Sequence, residues 1–253
     1  MKPIAVTGWG LWSPGFPDAD AWFDGAADPE VVKPACELVG SRLKRGSSRF
    51  ANMLGEVVQQ AAAAAEVDVK TVPTFYGSSL GEVGTMVTLL RMLFEEEGKL
   101  SPNRFKNSVH NAASGLVSIG TENTSFSTAI AGGPRSFETT LIEAWAYLDD
   151  LGGDVIVAVA DDEVPEPLDA LDDQDALAVG FALRSGGGPV RLENPRVVES
   201  AERFATMSPR MRANCASPGL ELLDALRAER AGPVALTPTP GAPQWVADLV
   251  FGA

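Results

Sequence analysis

The stretch "SFSTAIAGGPRSFETTLIEAWAYLDDLGGDVIVAVA", residues 125–160, decides the fold. It reads as a strand, a glycine turn, an amphipathic helix and a second, buried strand. Phe137, Leu141, Ala144, Trp145 and Leu148 fall at i, i+4, i+7, i+8 and i+11, one apolar stripe that places a helix over 135–151 against a sheet. "DVIVAVA" (154–160) is apolar almost throughout, which suits a central strand covered on both faces. This is the layout by which an enzyme holds a nucleophile at a helix N-terminus. Yet the turn is Gly132, Gly133 and Pro134, with no Cys, Ser or Thr.

Working outward, short apolar runs alternate with helical periods, the pattern of an α/β fold. "IAVTGWG" (4–10) is a first strand, and Ser47 or Ser48 caps a helix through "RFANMLGEVVQQAAAAA". "TFYGSS" (74–79) is a strand entering a turn, followed by a helix from about Glu82 to Glu97 and a polar connection over 98–112. "AVGFALRS" and "PVRLENP" read as two strands joined by a turn at Gly186, Gly187 and Gly188. Ser217 and Pro218 start a last helix, and "PVALTP" is a short strand after it. The chain reads as a single domain over residues 1–253, without internal repeats.

Composition bounds the function. With 253 residues, 45% of them apolar, the chain buries a full core. A net charge of −14 opposes nucleic acid and anionic membrane as partners. No stretch approaches the roughly 20 apolar residues of a membrane span, and the N-terminus reads as a strand rather than a signal peptide, which implies a cytoplasmic protein. Cys36 and Cys215 lack metal-ligand or CxxC spacing and read as free thiols, so neither a metal nor a cofactor is called for. His110 is the only histidine, which excludes every mechanism needing two from one chain. It reads as a structural hydrogen-bonding residue. The acidic run 161–175 lacks the glycine-turn spacing of a calcium loop and reads as solvated.

Two glycine motifs invite chemistry. Gly8 and Gly10 follow a strand, but the third glycine of a dinucleotide fingerprint falls on Ser13. "GSSLG" (77–81) matches a nucleophile elbow between strand and helix, with Ser79 as the nucleophile of a serine hydrolase. Its partner is the difficulty, because His110 follows too soon and no later histidine exists.

Taken in order, "IAVTGWGLWSPG", "SSRFANMLGEVVQQAAAAA", "TFYGSSLGE", "SVHNAASGLVSI" and "TAIAGGPRSFETTLIEA…GDVIVAVADD" resemble the N-terminal half of the β-ketoacyl synthases, a branch of the thiolase fold. The resemblance covers roughly residues 1–185 and implies about one half of a duplicated αβαβα fold. In those synthases a cysteine begins the helix after the strand, and counting back from Asp154 puts its place on Pro134. Aligning "TAI" (128–130) with the family's "TAC" puts it on Ile130 instead; neither residue is a nucleophile. A helix N-terminus lowers a thiol's pKa, and the family's nucleophile also lends its N–H to the oxyanion hole; proline supplies neither group. The family's two catalytic histidines and its lysine belong to a second half, to which His110 does not correspond.

The resemblance narrows to the chain length factors of type II polyketide and aryl-polyene systems, inactive homologues that pair with an active synthase and have a turn similar to "AGGP". It implies a catalytically silent subunit in a heterodimer, with Ser125, Phe126, Ser127, Thr128, Ala129, Ile130 and Ala131 at the interface. It also implies a tunnel for the growing acyl chain. Met86, Leu89, Leu90 and Leu93 read first as a core stripe by their helical spacing, and the same residues are candidates for the tunnel lining. An acyl carrier protein, itself acidic, is an expected transient partner, whose docking a chain of −14 leaves to the synthase. The rival readings are the Ser79 hydrolase and a stand-alone acyl-binding or scaffold protein.

Overall fold

The run "DVIVAVAD" forms a strand with almost no polar side chain, so it is stable only between two covering layers, and the fold is built around it. The computed structural model describes residues 1–95, 98, 100–168, 173–238 and 243–252. In chain order these form β1 (Ile4–Trp12), α1 (Ala19–Phe23), α2 (Ser41–Lys44), α3 (Arg49–Ala65), β2 (Thr74–Gly77), α4 (Val83–Glu95), α5 (Pro102–Lys106), α6 (Ala112–Thr121) and β3 (Ser127–Ile130). There follow α7 (Ser136–Leu151), β4 (Asp154–Asp161), β5 (Leu177–Ser185), β6 (Val190–Val198), α8 (Pro209–Ala213), α9 (Pro218–Arg227), β7 (Gly232–Ala235) and β8 (Gln244–Phe251). The strands make one mixed sheet in the order β3-β2-β4-β5-β1-β6-β8-β7. β2 is parallel to β3 and β4, and the remaining pairings are antiparallel.

The period-2 alternation of the central strands divides the core in two. Val155, Val157 and Val159 of β4, with Leu177, Val179, Phe181 and Leu183 of β5, meet α7 and α9. Ile156, Ala158 and Ala160 of β4, with Ala178 and Ala182 of β5, face α3 and α6. The α3 side is built from small residues because that helix lies against the backbone of the sheet. A Cβ added at Gly180 would lie 2.5 Å from the Val57 carbonyl oxygen, and one at Gly8 would lie 2.6 Å from that of Ala61. Ser48 is the cap of α3, its hydroxyl accepting from Ala51 N at 2.9 Å. The stripe of α7 is buried as its spacing requires.

The two strands expected on either side of Gly186–Gly188 are β5 and β6, but they do not pair with each other: β1 lies between them, Ile4 pairing with both Ser185 and Leu192. The polar connection contains α5, and "AASGLVSIGT" is the helix α6. The strand β8 has no counterpart in the sequence reading. The expected helix end at Glu97 lies outside the described residues. Among the described residues, no helix is long and apolar enough to cross a membrane.

The close approach of α3 is testable by stability. Gly180→Ala drives a methyl group into backbone that has no room to yield and should cost about 1–3 kcal/mol in chemical denaturation. Gly187→Ala, where a Cβ meets nothing within 4 Å, should stay within about 0.5 kcal/mol of the parent. Equal effects would mean that α3 does not sit as described.

Candidate functional site

The C-terminal ends of β2, β3 and β4 lie side by side, and the turns that leave them carry the "GSSLG" and "AGGP" motifs and the start of the acidic run. After β2, Ser78 to Gly81 wrap around the carboxylate of Asp161, the last residue of β4. The Ser78 hydroxyl donates to Asp161 Oδ1 at 2.5 Å, and the Ser79 and Leu80 N–H groups reach it at 3.1 and 3.0 Å. Ser78 Oγ in turn accepts from Gly81 N at 2.6 Å. This is a nest of backbone donors, a natural anion site, filled by the protein's own carboxylate. Burial pushes the Asp161 pKa up, while the Ser78 hydroxyl and the two N–H groups pull against that shift. The acidic run therefore does not begin as a solvated loop: Asp161 is fully buried, and Arg49 pairs with Asp162 and with Glu163, the latter at 2.9 Å. Residues 169–172 of that run lie outside the described residues.

The elbow geometry at Ser79 is occupied accordingly. Among the described residues no hydrogen bond joins the Ser79 hydroxyl to His110, whose Nε2 instead lies 3.4 Å from the Ser78 carbonyl oxygen. His110 is thus a structural neighbour of the turn, as expected.

After β3, the chain passes Gly132, takes a 3₁₀ turn over Gly133–Arg135 and enters α7 at Ser136. Gly133 has φ +57°, a conformation glycine adopts without strain. The N–H of Gly132 donates to Ser136 Oγ at 3.0 Å, that hydroxyl donates to the Gly133 carbonyl at 2.7 Å, and Arg135 N donates to the Gly132 carbonyl at 3.2 Å. Pro134 thus belongs to the turn before the helix rather than to its first residue. Arg135 binds the buried Glu138, which also accepts from Thr237 Oγ1 at 2.7 Å. Ile130, the other aligned position, ends β3, its carbonyl accepting from Ser78 N at 3.1 Å.

Behind both turns lies Cys215, fully buried beside Asp161 and Ser136. Burial and the Asp161 carboxylate push its thiol well above the usual range. Cys36, buried under α3 with Glu56 nearby, is pushed up to about 11. Neither thiol is poised as a thiolate nucleophile.

Ser127 to Ile130 form the edge strand of the sheet and Ser125, Phe126 and Ala131 flank it; among the described residues β3 pairs with β2 alone. The core reading of the α4 stripe is corrected. Leu89 is buried with Val83 and Val87, but Met86, Leu90 and Leu93 are more than 40% exposed, as is Phe94 beside them. Two stripes share this helix, and periodicity alone does not say which one the core takes. The sequence reading also missed a basic patch. Residues 38–55 hold Arg42, Lys44, Arg45 and Arg49 and no acid. Asn107 Nδ2 donates to the Gly46 carbonyl at 2.7 Å, tying α5 with its Arg104 and Lys106 to that segment. Arg42 and Lys106 line one cavity of about 170 Å³.

Residues 20–236 match the family model described as the β-ketoacyl synthase N-terminal domain. The chain belongs to that family. A chain in the structure of the ketosynthase ApeO in complex with its chain length factor ApeC, from Xenorhabdus doucetiae, superposes with a TM-score of 0.74 at 19% identity, covering 98% of this chain and 100% of that one. The ishigamide ketosynthase/chain length factor gives 0.71 at 16% identity, with both chains fully covered. A type II acyl-carrier protein in complex with its ketosynthase gives 0.62 at 13%, over 79% of this chain and 70% of that one. No curated protein sequence matches. At these identities the likeness establishes the fold, the thiolase-like ketosynthase fold at the size of one half of its duplicated unit.

The thiol environment gives a direct test. Native protein at pH 8 should leave both cysteines unmodified by a thiol-reactive disulfide reagent, and both should react once denaturant is added. Fast labelling of Cys215 in the folded protein would contradict its buried position beside Asp161.

Proposed function

We propose that this chain is a catalytically silent ketosynthase-like subunit, a chain length factor, that pairs with an active β-ketoacyl synthase and shapes its acyl tunnel. The observation that carries the reading is the turn after β3. Where the family's fold presents a nucleophile, this chain has Gly132, Gly133 and Pro134, with no nucleophilic side chain and no N–H at Pro134. The one hydroxyl that follows, on Ser136, is bound within the turn.

Pairing through β3 is supported by its register. The carbonyls of Phe126 and Ile130 accept from Thr74 N and Ser78 N, so the backbone groups of Ser127 and Ala129 face the open edge. The exposed stripe Met86, Leu90 and Leu93 on α4 belongs to the same connection between β2 and β3. Beside an active site across the interface it would line the acyl tunnel, with Leu89 kept for the core.

The basic patch revises the expected division of labour with the carrier. The total of −14 is unevenly spread, and Arg42, Arg45, Arg104 and Lys106 form an exposed positive surface suited to an acidic carrier protein. Docking is therefore proposed for this subunit as well as its synthase.

The deciding experiment is co-expression with a synthase that carries Cys, His and His, followed by size-exclusion chromatography with light scattering. A stoichiometric heterodimer with ketosynthase activity is expected, and this chain alone should show none. A stable monomer carrying bound lipid, indifferent to every synthase offered, would favour the stand-alone acyl-binding reading. Ala129→Pro should abolish the heterodimer while the chain stays folded, because the N–H it removes is not used by β2. Arg42→Glu with Lys106→Glu should weaken carrier binding about tenfold or more at low salt and leave the heterodimer intact. Unchanged carrier affinity would remove the patch from the docking surface.

A further inference from the structure

The cavity of about 170 Å³ lies where α2 and its link to α3 meet α5 and the start of α6. Arg42 of α2 and Asn103 and Lys106 of α5 line it, and all three are exposed. Among the described residues, none of these three side chains makes a hydrogen bond or an ion pair. The frame that carries them is itself satisfied: Asn107 ties α5 to the link, and the Ser47 hydroxyl donates to the Lys44 carbonyl at 2.8 Å. Ala51, buried, with Ala112 and Leu116, half-buried, supplies an apolar wall. The one acid that lines the space is Glu82, 5% exposed. Its Oε1 accepts from the Ser48 hydroxyl at 2.6 Å and its Oε2 from the Thr85 hydroxyl at 2.9 Å. Burial pushes its pKa up, toward the neutral form that does not repel an anion.

Two cations and an amide around one concavity select an oxyanion. A guanidinium fork takes two oxygens of a phosphate side by side, and an ammonium takes a third as a point charge. A phosphate ester offers three free oxygens where a carboxylate offers two. The volume adds a second limit, since an apolar cavity of about 150 Å³ admits benzene, so there is room for a few carbons as well as the oxyanion. We infer that this cavity binds a phosphate ester, its oxygens held by Arg42, Lys106 and Asn103 and its first carbons against Ala112 and Leu116. The ester has two sources, a free small molecule or the phosphate-linked arm of a docked carrier, and only the second rests on the carrier docking proposed above.

The test titrates glycerol phosphate, with glycerol in parallel, into the intact chain at low salt and follows phosphorus and ligand NMR. Saturable binding of the ester is expected, with none for glycerol. Arg42→Gln, at an exposed position, should weaken it about tenfold, the worth of one charge-assisted contact. Ala112→Leu, which fills the space and leaves the charge unchanged, should abolish it in folded protein. The sources separate when a carrier is titrated with and without its arm. Tighter binding of the arm-bearing form, lost in Ala112→Leu, assigns the site to the arm; equal binding of the two forms beside a saturable ester assigns it to a free ester. The inference is overturned if glycerol phosphate does not saturate or if both folded variants bind it like the parent. Carrier binding that persists in that case leaves the docking reading standing, and a saturable ester with no carrier binding removes the docking reading alone.

Discussion

The carboxylate of Asp161 is the constraint from which the functional end of the molecule follows. A strand that is apolar from Val155 to Ala160 ends in a fully buried acid, an arrangement that is costly unless donors surround it. Ser78, Ser79 and Leu80 supply them, which fixes the turn between β2 and α4. The backbone of the same residue is held from the other side, the Asp161 carbonyl accepting from Asn214 Nδ2 at 2.9 Å. Asn214 also donates to the Asp175 carbonyl at 2.9 Å, so the link between α8 and α9 is sewn to the ends of β4 and β5. Close packing completes the frame: a Cβ at Gly77 would lie 2.3 Å from Thr140 Oγ1, so α7 sits directly on β2.

In open α/β sheets, ligands bind outside the carboxyl ends of the strands. Here the inner part of that region is filled by the chain's own groups. Asp161 occupies the nest after β2, Ser136 closes the turn after β3 on itself, and Cys215 sits behind both as a protonated thiol. At the entry to α7 the Arg135 N–H is taken by the Gly132 carbonyl and the Ser136 N–H by the Gly133 carbonyl, so these two groups are spent within the turn. The turn thus keeps the ketosynthase architecture while its polar atoms serve the fold.

What the sequence made legible is local. The buried run of β4, the stripe of α7 and the cap of α3 carry their structure in their own spacing, and the glycine-proline turn announces its chemistry by composition. What was hidden depends on contacts distant in sequence. In α6 the glycine at 120 looks like a helix breaker in sequence, but it packs against the Leu38 carbonyl, where a Cβ would come within 3.1 Å. In β8, Asp248 breaks the apolar pattern, and its partners Arg196 and Asn194 lie on the neighbouring strand. The order β5-β1-β6 is likewise invisible to adjacency, since a strand from the start of the chain enters between two that look like a hairpin. Asp161 was misread for the same reason: counted among its acidic neighbours it looks solvated, whereas its place at the end of an apolar strand predicts burial.

The two edges of the sheet differ in a way that bears on assembly. β7 includes Pro233, which has no N–H to donate, and Gly232 at φ +119°, features that discourage a further strand. β3 has neither proline nor charge, and its residues Ser127 to Ile130 leave alternate backbone groups unpaired. An unprotected edge on a folded protein invites association unless it has a partner. Exposed apolar side chains accumulate on α4 and around Phe105, Ile119 and Phe126, all within the chain between β2 and β3, while the acidic excess lies elsewhere. An unblocked edge and a run of exposed apolar side chains with little net charge thus fall within one stretch of the chain, residues 78–130, and an edge of that kind is the feature of this sheet that the fold itself leaves unprotected.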